Sequence, residues 1–338
     1  MTTLSTSSAT PSAAKRRSMA WLVGRRAVLA AGLVLFALLP LGANPYQVYV
    51  GNLALIYVVL AVGLNILLGM AGQLSFANGA LFGVGAYAAG LLRLDASVPF
   101  WLALPAGAIV TVAIGLLVAL PALRLRGLYL ALATVAFAQF ALWTFVHWDS
   151  LTYGNAGFVM TPVDFTALGL PTATGMYYLS LLIAVVLVAA AYGVMRSRVG
   201  RALVALRESE VAAESIAIDI TRLKIVAYTL SAFYAGVAGG LFAGLLNVVV
   251  PESFNLFQIV LQFCMVVVGG LGSIAGSVIA AVLLIVLQEA LRGMQELQEI
   301  GLGLLLLLML LFAPGGIAQA LRRRIPGWVE PHSRGGED

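Results

Sequence analysis

The segment GRALVALRESEVAAESIAIDITRLK, residues 200–224, carries eight charged side chains in the middle of an otherwise apolar chain. Of the 338 residues, 62% are hydrophobic and only 10% are charged, and the mean hydropathy is +1.02. A soluble protein of this length needs a polar surface that 14 acidic and 19 basic residues cannot cover. The composition therefore predicts an all-α polytopic membrane protein, in which residues 200–224 form a polar segment between two apolar runs.

Ten apolar runs divide the chain, and each has about 20 residues or somewhat fewer, as a helix needs to cross ~30 Å of hydrocarbon. They are 27–41, 48–69, 76–92, 99–121, 127–147, 175–195, 223–247, 257–269, 273–291 and 298–313. We expect about ten transmembrane helices, within a range of roughly 8–10. The first run is either a retained helix or the apolar core of a signal peptide. Residues 257–291 are either two short helices or one helix with a re-entrant piece.

The basic residues orient these helices. With the N-terminus in the cytoplasm and helices that alternate in direction, 17 of the 19 Lys and Arg residues fall on the cytoplasmic side. Arg93 and Arg292 are the two exceptions. This bias agrees with the positive-inside rule. We therefore expect both termini in the cytoplasm, on the same side as residues 200–224 and the basic pair Arg124 and Arg126.

This topology predicts one membrane domain with two tails. We expect a disordered N-terminal tail over 1–26, which is rich in Ser, Thr, Ala and Pro, a transmembrane domain over 27–313, and a C-terminal tail over 314–338, both tails being cytoplasmic. Within the domain, 196–222 forms a cytoplasmic loop and 148–174 forms the longest outer loop. The Gly, Pro and aromatic residues of the outer loop indicate that it has structure of its own.

The pattern within residues 200–224 indicates short helices at the membrane face. Leu203 and Leu206 are spaced for one helix face, and five alanines keep much of the surface small. Asp219 and Thr221 stand where side-chain oxygens can cap the next membrane helix. The segment is either a solvated loop that holds the topology or a surface that fits a cleft in another protein. Its four acidic residues and its alanines favour the second interpretation, because a topological anchor needs only basic residues.

Four blocks of sequence carry a resemblance to a known family. Residues 210–224, EVAAESIAIDITRLK, resemble the EAA-type cytoplasmic loop of ABC-transporter permeases. The other blocks are GLNILLGMAGQLSFANGALFGVGAYAAGLL (63–92), RLRGLYLALATVAFAQ (124–139), and VVGGLGSIAGSVIAAVLL (267–284) together with FAPGGIAQAL (312–321). Over about residues 50–321 the chain is similar to the LivM-type permeases of branched-chain (hydrophobic) amino-acid ABC importers.

The resemblance implies a permease subunit that forms half of the translocation path for branched-chain or other hydrophobic amino acids. The implied partners are a second, homologous permease, two cytoplasmic ABC ATPase subunits, a periplasmic substrate-binding protein and the lipid bilayer of the bacterial inner membrane. In that family the cytoplasmic loop docks into the ATPase. The candidate ATPase-coupling residues are therefore Arg207, Glu208, Glu210, Glu214 and Asp219. The chain has no G-x-x-x-x-G-K-[ST] motif, so we expect a transport subunit without its own ATPase site and not an enzyme.

Polar residues in the first glycine-rich run are candidates for the substrate path. Gln73, Ser75 and Asn78, with Asn65 before them, lie in apolar sequence and must face protein or a water-filled path. A break in the helix here, and a second one at 269–276, would expose backbone groups to a solute. The alternative for the glycines is close helix packing. Several polar positions are expected more often to form an interhelical hydrogen bond: Asn65, Thr134, Gln139, Asn247 and Gln262.

Other function classes have less support from the sequence. Few ionisable residues fall near the middle of the membrane, whereas an ion-coupled secondary transporter usually keeps buried acids or histidines. Within the ABC class, the solute could instead be urea, a short amide or an aromatic carboxylate. One cysteine and two histidines provide no ligand set for a metal, and no cofactor is indicated. The net charge of +5 follows from topology and does not indicate binding to nucleic acid.

Overall fold

A computed structural model describes the chain over residues 36–40, 42–125, 127–166, 171–215 and 219–293, and at positions 169, 301, 303, 304, 316, 317 and 319. Helices account for most of this part of the chain. They are α1 Pro45–Asn65, α2 Ala77–Leu94, α3 Phe100–Ala122, α4 Leu128–His147, α5 Asp149–Thr152, α6 Thr172–Arg196, α7 Arg198–Glu208, α8 Glu210–Ser215, α9 Ile220–Leu246, α10 Leu256–Gly269 and α11 Ile274–Ala290. A π-helical turn, Ile66–Met70, extends α1.

The helices occur where the apolar runs predict them. In the described part of the chain, six helical segments are long and apolar enough to cross a membrane, which confirms an all-α polytopic membrane protein. Residues 257–291 form two helices, α10 and α11, which is one of the two alternatives left open by the sequence. The runs 27–41 and 298–313 and both tails fall mostly outside the described residues. The count of about ten helices and the cytoplasmic termini therefore stay predictions.

The outer loop has structure of its own, as its composition predicts. It contains α5, a 3-10 turn at Gly154–Ala156 and strand β1, Phe158–Val159. Strand β1 pairs antiparallel with β2, Val248–Val249, which follows α9. The Tyr153 hydroxyl donates a hydrogen bond of 2.7 Å to Oδ1 of Asp95, and this bond raises the pKa of Tyr153. The loop is thus tied to two other connections at the same end of the bundle.

The bundle has central and peripheral helices. Of the most apolar 18-residue window of α1 with its π-helical turn, 94% is buried inside the chain, whereas the corresponding share is 33% for α4 and 22% for α6. Helix α9 is also central, at 72%. The peripheral helices expose large apolar side chains, among them Phe140 and Val186. A helix that is apolar on its exposed face fits a lipid or subunit environment better than water.

Glycines allow α2 to approach α9 closely. A methyl group placed on Gly85 would lie 2.6 Å from Cα and O of Gly236, and one on Gly239 would overlap the Phe82 carbonyl oxygen. Small residues at such crossings let helix backbones touch, which is how helices associate where lipid tails are as apolar as the side chains. The sequence-based expectation of close packing is therefore confirmed for Gly85.

Contacts between connections define two ends of the bundle. At one end, which we name the loop end, Arg93 donates a hydrogen bond of 2.8 Å to the Thr161 carbonyl, and the strand pair joins residues 158–159 to 248–249. The other end, which we name the coupling end, contains the connections 71–76, 197–219 and 270–273.

Helices α10 and α11 run in opposite directions between these two ends. Helix α10 starts beside strand β2 at the loop end and stops at the connection 270–273, at the coupling end. Helix α11 returns, because Glu289 near its C-terminus accepts a hydrogen bond from Tyr46 at the start of α1. At the opposite end of α1, Asn65 is hydrogen-bonded to Ser273.

The glycine contact between α2 and α9 generates a prediction. Gly85→Ala is expected to destabilise the protein by about 1–3 kcal/mol, because the new methyl group meets backbone atoms that have no room to move. The matched control is Gly193→Ala in α6, where a methyl group meets nothing within 4 Å. This change should be neutral or stabilising by up to about 1 kcal/mol, since alanine favours helix. The apparent melting temperature in detergent measures both, and equal melting temperatures for the two variants would contradict the assigned packing.

Candidate coupling site

The segment between α6 and α9 folds into the two short helices α7 and α8, which confirms the short-helical character predicted for residues 200–224. Ser197 starts α7, and its hydroxyl oxygen accepts a hydrogen bond of 3.2 Å from the Gly200 amide. The apolar side chains Leu203 and Leu206 are buried against the bundle. The segment is therefore an ordered amphipathic element that lies on the coupling end.

Asp219 caps α9, as the sequence predicts. Its Oδ1 accepts a hydrogen bond of 3.1 Å from the Arg222 amide, and its Oδ2 lies 2.8 Å from Nε of Arg222. Both side chains are exposed, so the ion pair contributes little and the cap itself is the more useful contact. The cap fixes the point at which the polar segment ends and the membrane helix begins.

A buried ion pair joins α8 to α9. Nζ of Lys224 lies 2.9 Å from Oε1 of Glu210, with exposed side-chain fractions of 2% for the lysine and 20% for the glutamate. A buried ammonium group needs an opposite charge, and removal of one partner leaves an uncompensated charge inside the protein. Glu210 therefore serves a partner within this chain, and its predicted contact with an ATPase stays a prediction.

Arg207 also turns toward the bundle. It lies in the last turn of α7, and its Nη1 donates a hydrogen bond of 2.6 Å to the carbonyl oxygen of Gly69, in the π-helical turn after α1. The arginine stem packs closely on Gly72, since a methyl group there would lie 2.7 Å from Cγ of Arg207. As with Glu210, contact of this residue with an ATPase stays a prediction.

The remaining candidate coupling residues point outward. Glu208, Glu214 and Asp219 are exposed, and Val211 between them is 73% exposed. Together with Ala212, which is also exposed, these residues form a surface that we name the coupling face. It combines acidic groups with small or apolar side chains, which is the composition expected of a contact with another protein rather than of a purely solvated loop.

Asn65 joins the end of α1 to the second glycine-rich break of the chain. Its Nδ2 donates a hydrogen bond of 2.9 Å to the Ser273 carbonyl, and its Oδ1 accepts one of 2.9 Å from the Gly272 amide. Asn65 is fully buried. Both breaks predicted from the sequence are present, at 71–76 and at 270–273. The expected interhelical hydrogen bond of Asn65 is confirmed.

The other candidate path residues are buried in or near the first break. Ser75 accepts a hydrogen bond of 3.3 Å from the Ala77 amide. Asn78 accepts one of 3.0 Å from the Ser231 hydroxyl and donates one of 3.4 Å to Oε1 of Gln262. Gln73 is 7% exposed, and its Nε2 donates a hydrogen bond of 3.4 Å to the Ala71 carbonyl. The structure thus brings Asn78 together with α9 and α10, but it does not bring all four candidates together.

These polar residues hold the helices and do not line the cavity between α3 and α4. That cavity has a volume of about 120 Å³, and its lining is apolar apart from Thr134. The Thr134 hydroxyl accepts a hydrogen bond of 3.0 Å from the Phe76 amide, which confirms the interhelical bond expected of it. Gln262 keeps its Nε2 buried with no hydrogen-bond partner among the described residues.

Sequence reasoning missed Lys224 and Ser231. Lys224 was counted only as a basic residue of the cytoplasmic side, and Ser231 gave no signal in an apolar helix. A lysine at the second position of the apolar run 223–247 is the feature that could have pointed to a buried partner, since an unpaired charge is not stable there. The identity of that partner depends on how α8 folds back on α9.

The buried ion pair generates a prediction about stability. Glu210→Gln is expected to lower the free energy of unfolding by about 3–5 kcal/mol, because the buried Lys224 loses the carboxylate with which it forms an ion pair. The double variant Glu210→Gln with Lys224→Gln should be more stable than Glu210→Gln alone, since no charge is then left unpaired. Glu214→Gln is the control, because Glu214 is exposed and should change stability little. Apparent melting temperatures in detergent test the order, and a double variant weaker than the single one would contradict it.

Comparison with known proteins places these features in a family. The family described as "Branched-chain amino acid transport system / permease component" matches residues 47–313. The high-affinity branched-chain amino acid transport system permease protein LivM of Salmonella typhimurium is 33% identical over 328 residues, which cover 90% of this chain and 77% of the relative. LivM of Escherichia coli is 32% identical with the same coverage.

A third relative is the high-affinity branched-chain amino acid transport system permease protein BraD of Pseudomonas aeruginosa, which is 30% identical over 77% of this chain and 91% of its own length. No solved structure matches the chain. The family match covers the two glycine-rich breaks, α7, α8 and the capped start of α9. The chain therefore belongs to the family of permease components of branched-chain amino acid transport systems.

Proposed function

We propose that this chain is one permease subunit of an ABC importer and forms half of the translocation path for branched-chain or other hydrophobic amino acids. Family membership carries this proposal, and the names of the relatives state branched-chain amino acid transport. The folded, outward-facing coupling face adds a physical basis, because energy from a separate ATPase must enter through a surface that another protein can grip. Urea, short amides and aromatic carboxylates have no comparable support.

In this proposal the coupling end faces the cytoplasm of a bacterium and the chain lies in the inner membrane. The basic residues support this orientation, since 17 of 19 fall on the side of 196–222. Gly316 supports a cytoplasmic C-terminal tail, because a methyl group on it would lie 2.7 Å from the Gly270 amide nitrogen at the coupling end. In this proposal the transmembrane domain covers 27–313 and has about ten helices. The tails at 1–26 and 314–338 are both cytoplasmic, and 148–174 is an outer loop.

The partners follow from the same orientation. Of two cytoplasmic ABC ATPase subunits, one would contact the coupling face, with the exposed Glu208, Glu214 and Asp219 as the foremost of the five candidate contacts. A second, homologous permease would cover part of the exposed apolar surface of the peripheral helices and supply the other half of the path. A periplasmic substrate-binding protein would contact the loop end, which carries the folded outer loop. No catalytic role is assigned to this chain.

The substrate path in this proposal borders the first break. Gln73 and Ser75 lie in the connection 71–76 and are the residues that a change in that connection would bring toward a solute. Asn65 and Asn78 flank the connection and hold it to α9, α10 and the second break. Because these side chains are buried in the single chain, the path would open at the interface with the second permease rather than through the middle of this bundle.

The distribution of buried charge argues against an ion-coupled secondary transporter. Among the Asp, Glu, His, Lys and Arg residues that the structure describes, Lys224 at the coupling end is the one that is fully buried, and it is paired with Glu210. Glu289 lies at the loop end, where Nη1 of Arg292 is 2.8 Å from its Oε1. Neither site provides an acid near the middle of a helix that could carry a coupling proton or sodium ion.

The energy source can be tested directly. Whole-cell uptake of radiolabelled leucine is expected to continue when a protonophore collapses the proton gradient while ATP is kept high, because the ATPase subunits supply the energy. Depletion of ATP with the gradient intact should stop uptake. The assay uses the complete assembly with its binding protein. Loss of uptake on collapse of the gradient alone would favour an ion-coupled carrier instead.

The coupling face generates a second test. Charge reversal by Glu208→Lys together with Glu214→Lys is expected to lower leucine uptake at least about tenfold and to reduce co-purification of the ATPase, because contacts that involve charged groups are worth roughly 1.5–3 kcal/mol each. Asp164→Lys is the control for ATPase co-purification, since Asp164 is exposed at the loop end, away from the coupling face. Normal uptake and normal co-purification in the double variant would contradict the assigned ATPase contact.

A further inference from the structure

We propose that Arg207 is a positioning residue that connects the coupling segment to the ends of three membrane helices, so that movement of α7 reorients α1, α10 and α11 together. This inference rests on the proposed ABC-importer function. It assigns Arg207 a role within the chain, where the resemblance implies only a contact with the ATPase. The observations that carry it are the contacts that Arg207 makes with both glycine-rich breaks.

The first observation is the direction of the side chain. Arg207 and Glu208 are neighbours in the last turn of α7, yet the glutamate is exposed on the coupling face and the arginine is partly buried. Nη1 of Arg207 reaches the Gly69 carbonyl at 2.6 Å, across 138 positions of sequence. Arg207 thus faces the membrane helices, and the next residue of α7, Glu208, faces the proposed ATPase side.

The second observation is what lies around the guanidinium group. Helix α1, through its π-helical turn, and helix α10 both run toward the coupling end and end there, at Met70 and Gly269. The C-terminal end of a helix leaves carbonyl groups without intrahelical donors and carries a partial negative charge. The guanidinium group lies at the end of α1 and beside Gly272, in the connection that follows α10. Its hydrogen bond to the Gly69 carbonyl is of the stronger, charge-assisted kind.

The third observation is the space that the glycines provide. Gly72 has φ +67° and lies against the Arg207 stem, where a methyl group would be 2.7 Å from Cγ. Gly272 has φ +82°, and a methyl group there would be 3.0 Å from Nη1. Both breaks therefore present glycine to the same arginine. The sequence associates the glycines of these two segments with helix packing or a solute path. In the structure, Gly72 and Gly272 also make room for Arg207.

The fourth observation is the rigidity of what Arg207 contacts. The two hydrogen bonds of Asn65 hold the end of α1 to Gly272 and Ser273, as described above. Ser273 then caps α11, since its hydroxyl oxygen accepts a hydrogen bond of 3.0 Å from the Gly276 amide. The ends of α1 and α10 and the start of α11 are thus one hydrogen-bonded unit. A displacement of Arg207 is transmitted to all three helices because the side chains that join their ends, Asn65 and Ser273, are short.

The test measures coupling rather than activity alone. In the complete transporter, reconstituted with its binding protein in lipid vesicles, Arg207→Met is expected to lower the amount of leucine transported per ATP hydrolysed by about tenfold or more, with normal co-purification of the ATPase. Arg207→Lys should be intermediate, because an ammonium group has the charge without the reach and the planar fork. Arg201→Met is the control, since Arg201 is exposed on the same helix and its side chain donates a hydrogen bond to the nearby Arg196 carbonyl, within the same segment.

A second variant reaches the same contact from the other side. Gly272→Ala leaves the sequence of the coupling segment unchanged and places a methyl group 3.0 Å from Nη1 of Arg207, so it should also lower the transport-to-hydrolysis ratio. A normal ratio in both Arg207→Met and Gly272→Ala would overturn the inference. A loss of ATPase co-purification in Arg207→Met would also overturn it, because Arg207 would then be an ATPase contact. The importer function itself fails separately, if the unaltered transporter shows no ATP-dependent uptake.

Discussion

A helix end inside an apolar bundle leaves backbone amide and carbonyl groups that need hydrogen-bond partners, because neither lipid nor packed side chains can supply them. This constraint governs the two breaks at 71–76 and 270–273. Asn65 satisfies it at the second break with its amide group, and Arg207 satisfies it at the first with a guanidinium group. The connections are polar backbone held inside protein, and their partners come from distant parts of the chain.

The same requirement ties the polar segment to the membrane helices. Arg207 links α7 to α1, and the Glu210–Lys224 ion pair links α8 to α9. Each link contains a charged group that is shielded from water. Loss of the partner group would therefore leave that charge uncompensated. On the same two short helices, Glu208, Val211 and Glu214 remain exposed. The segment therefore has an inner surface that holds the bundle and an outer surface that is free to contact another protein.

The bundle itself is asymmetric. Close contacts through glycine, such as Gly85 on Gly236, bring α2 and α9 together, and α9 packs in turn on the buried α1 through Gly63 and Tyr234. Helices α4 and α6 keep much of their apolar surface exposed. Rigid packing in the centre is suited to passing on a displacement, since a close-packed core deforms little. The exposed apolar helices are suited to lipid and, in the proposed assembly, to a second permease.

The amino-acid sequence by itself determined the class of the protein, the position of most of the helices and the presence of both breaks. It did so because apolar runs of membrane length, glycine clusters and basic residues act locally, within one or two turns of helix. The Asp219 cap was predictable for the same reason, since its partner amide is three residues away.

Only the tertiary structure decided which charged residues of 200–224 face inward. Arg207 and Glu210 are charged residues of the same segment as Glu208 and Glu214, and nothing in the sequence separates the two pairs. In the fold, Arg207 contacts Gly69 and Glu210 contacts Lys224. Neither pairing has a periodic signal, because it depends on how α7 and α8 lie across the ends of helices that are far away in the chain. The division of this segment into an inner and an outer surface is therefore a property of the folded bundle, set by the cost of leaving a charge or a helix end unpaired inside it.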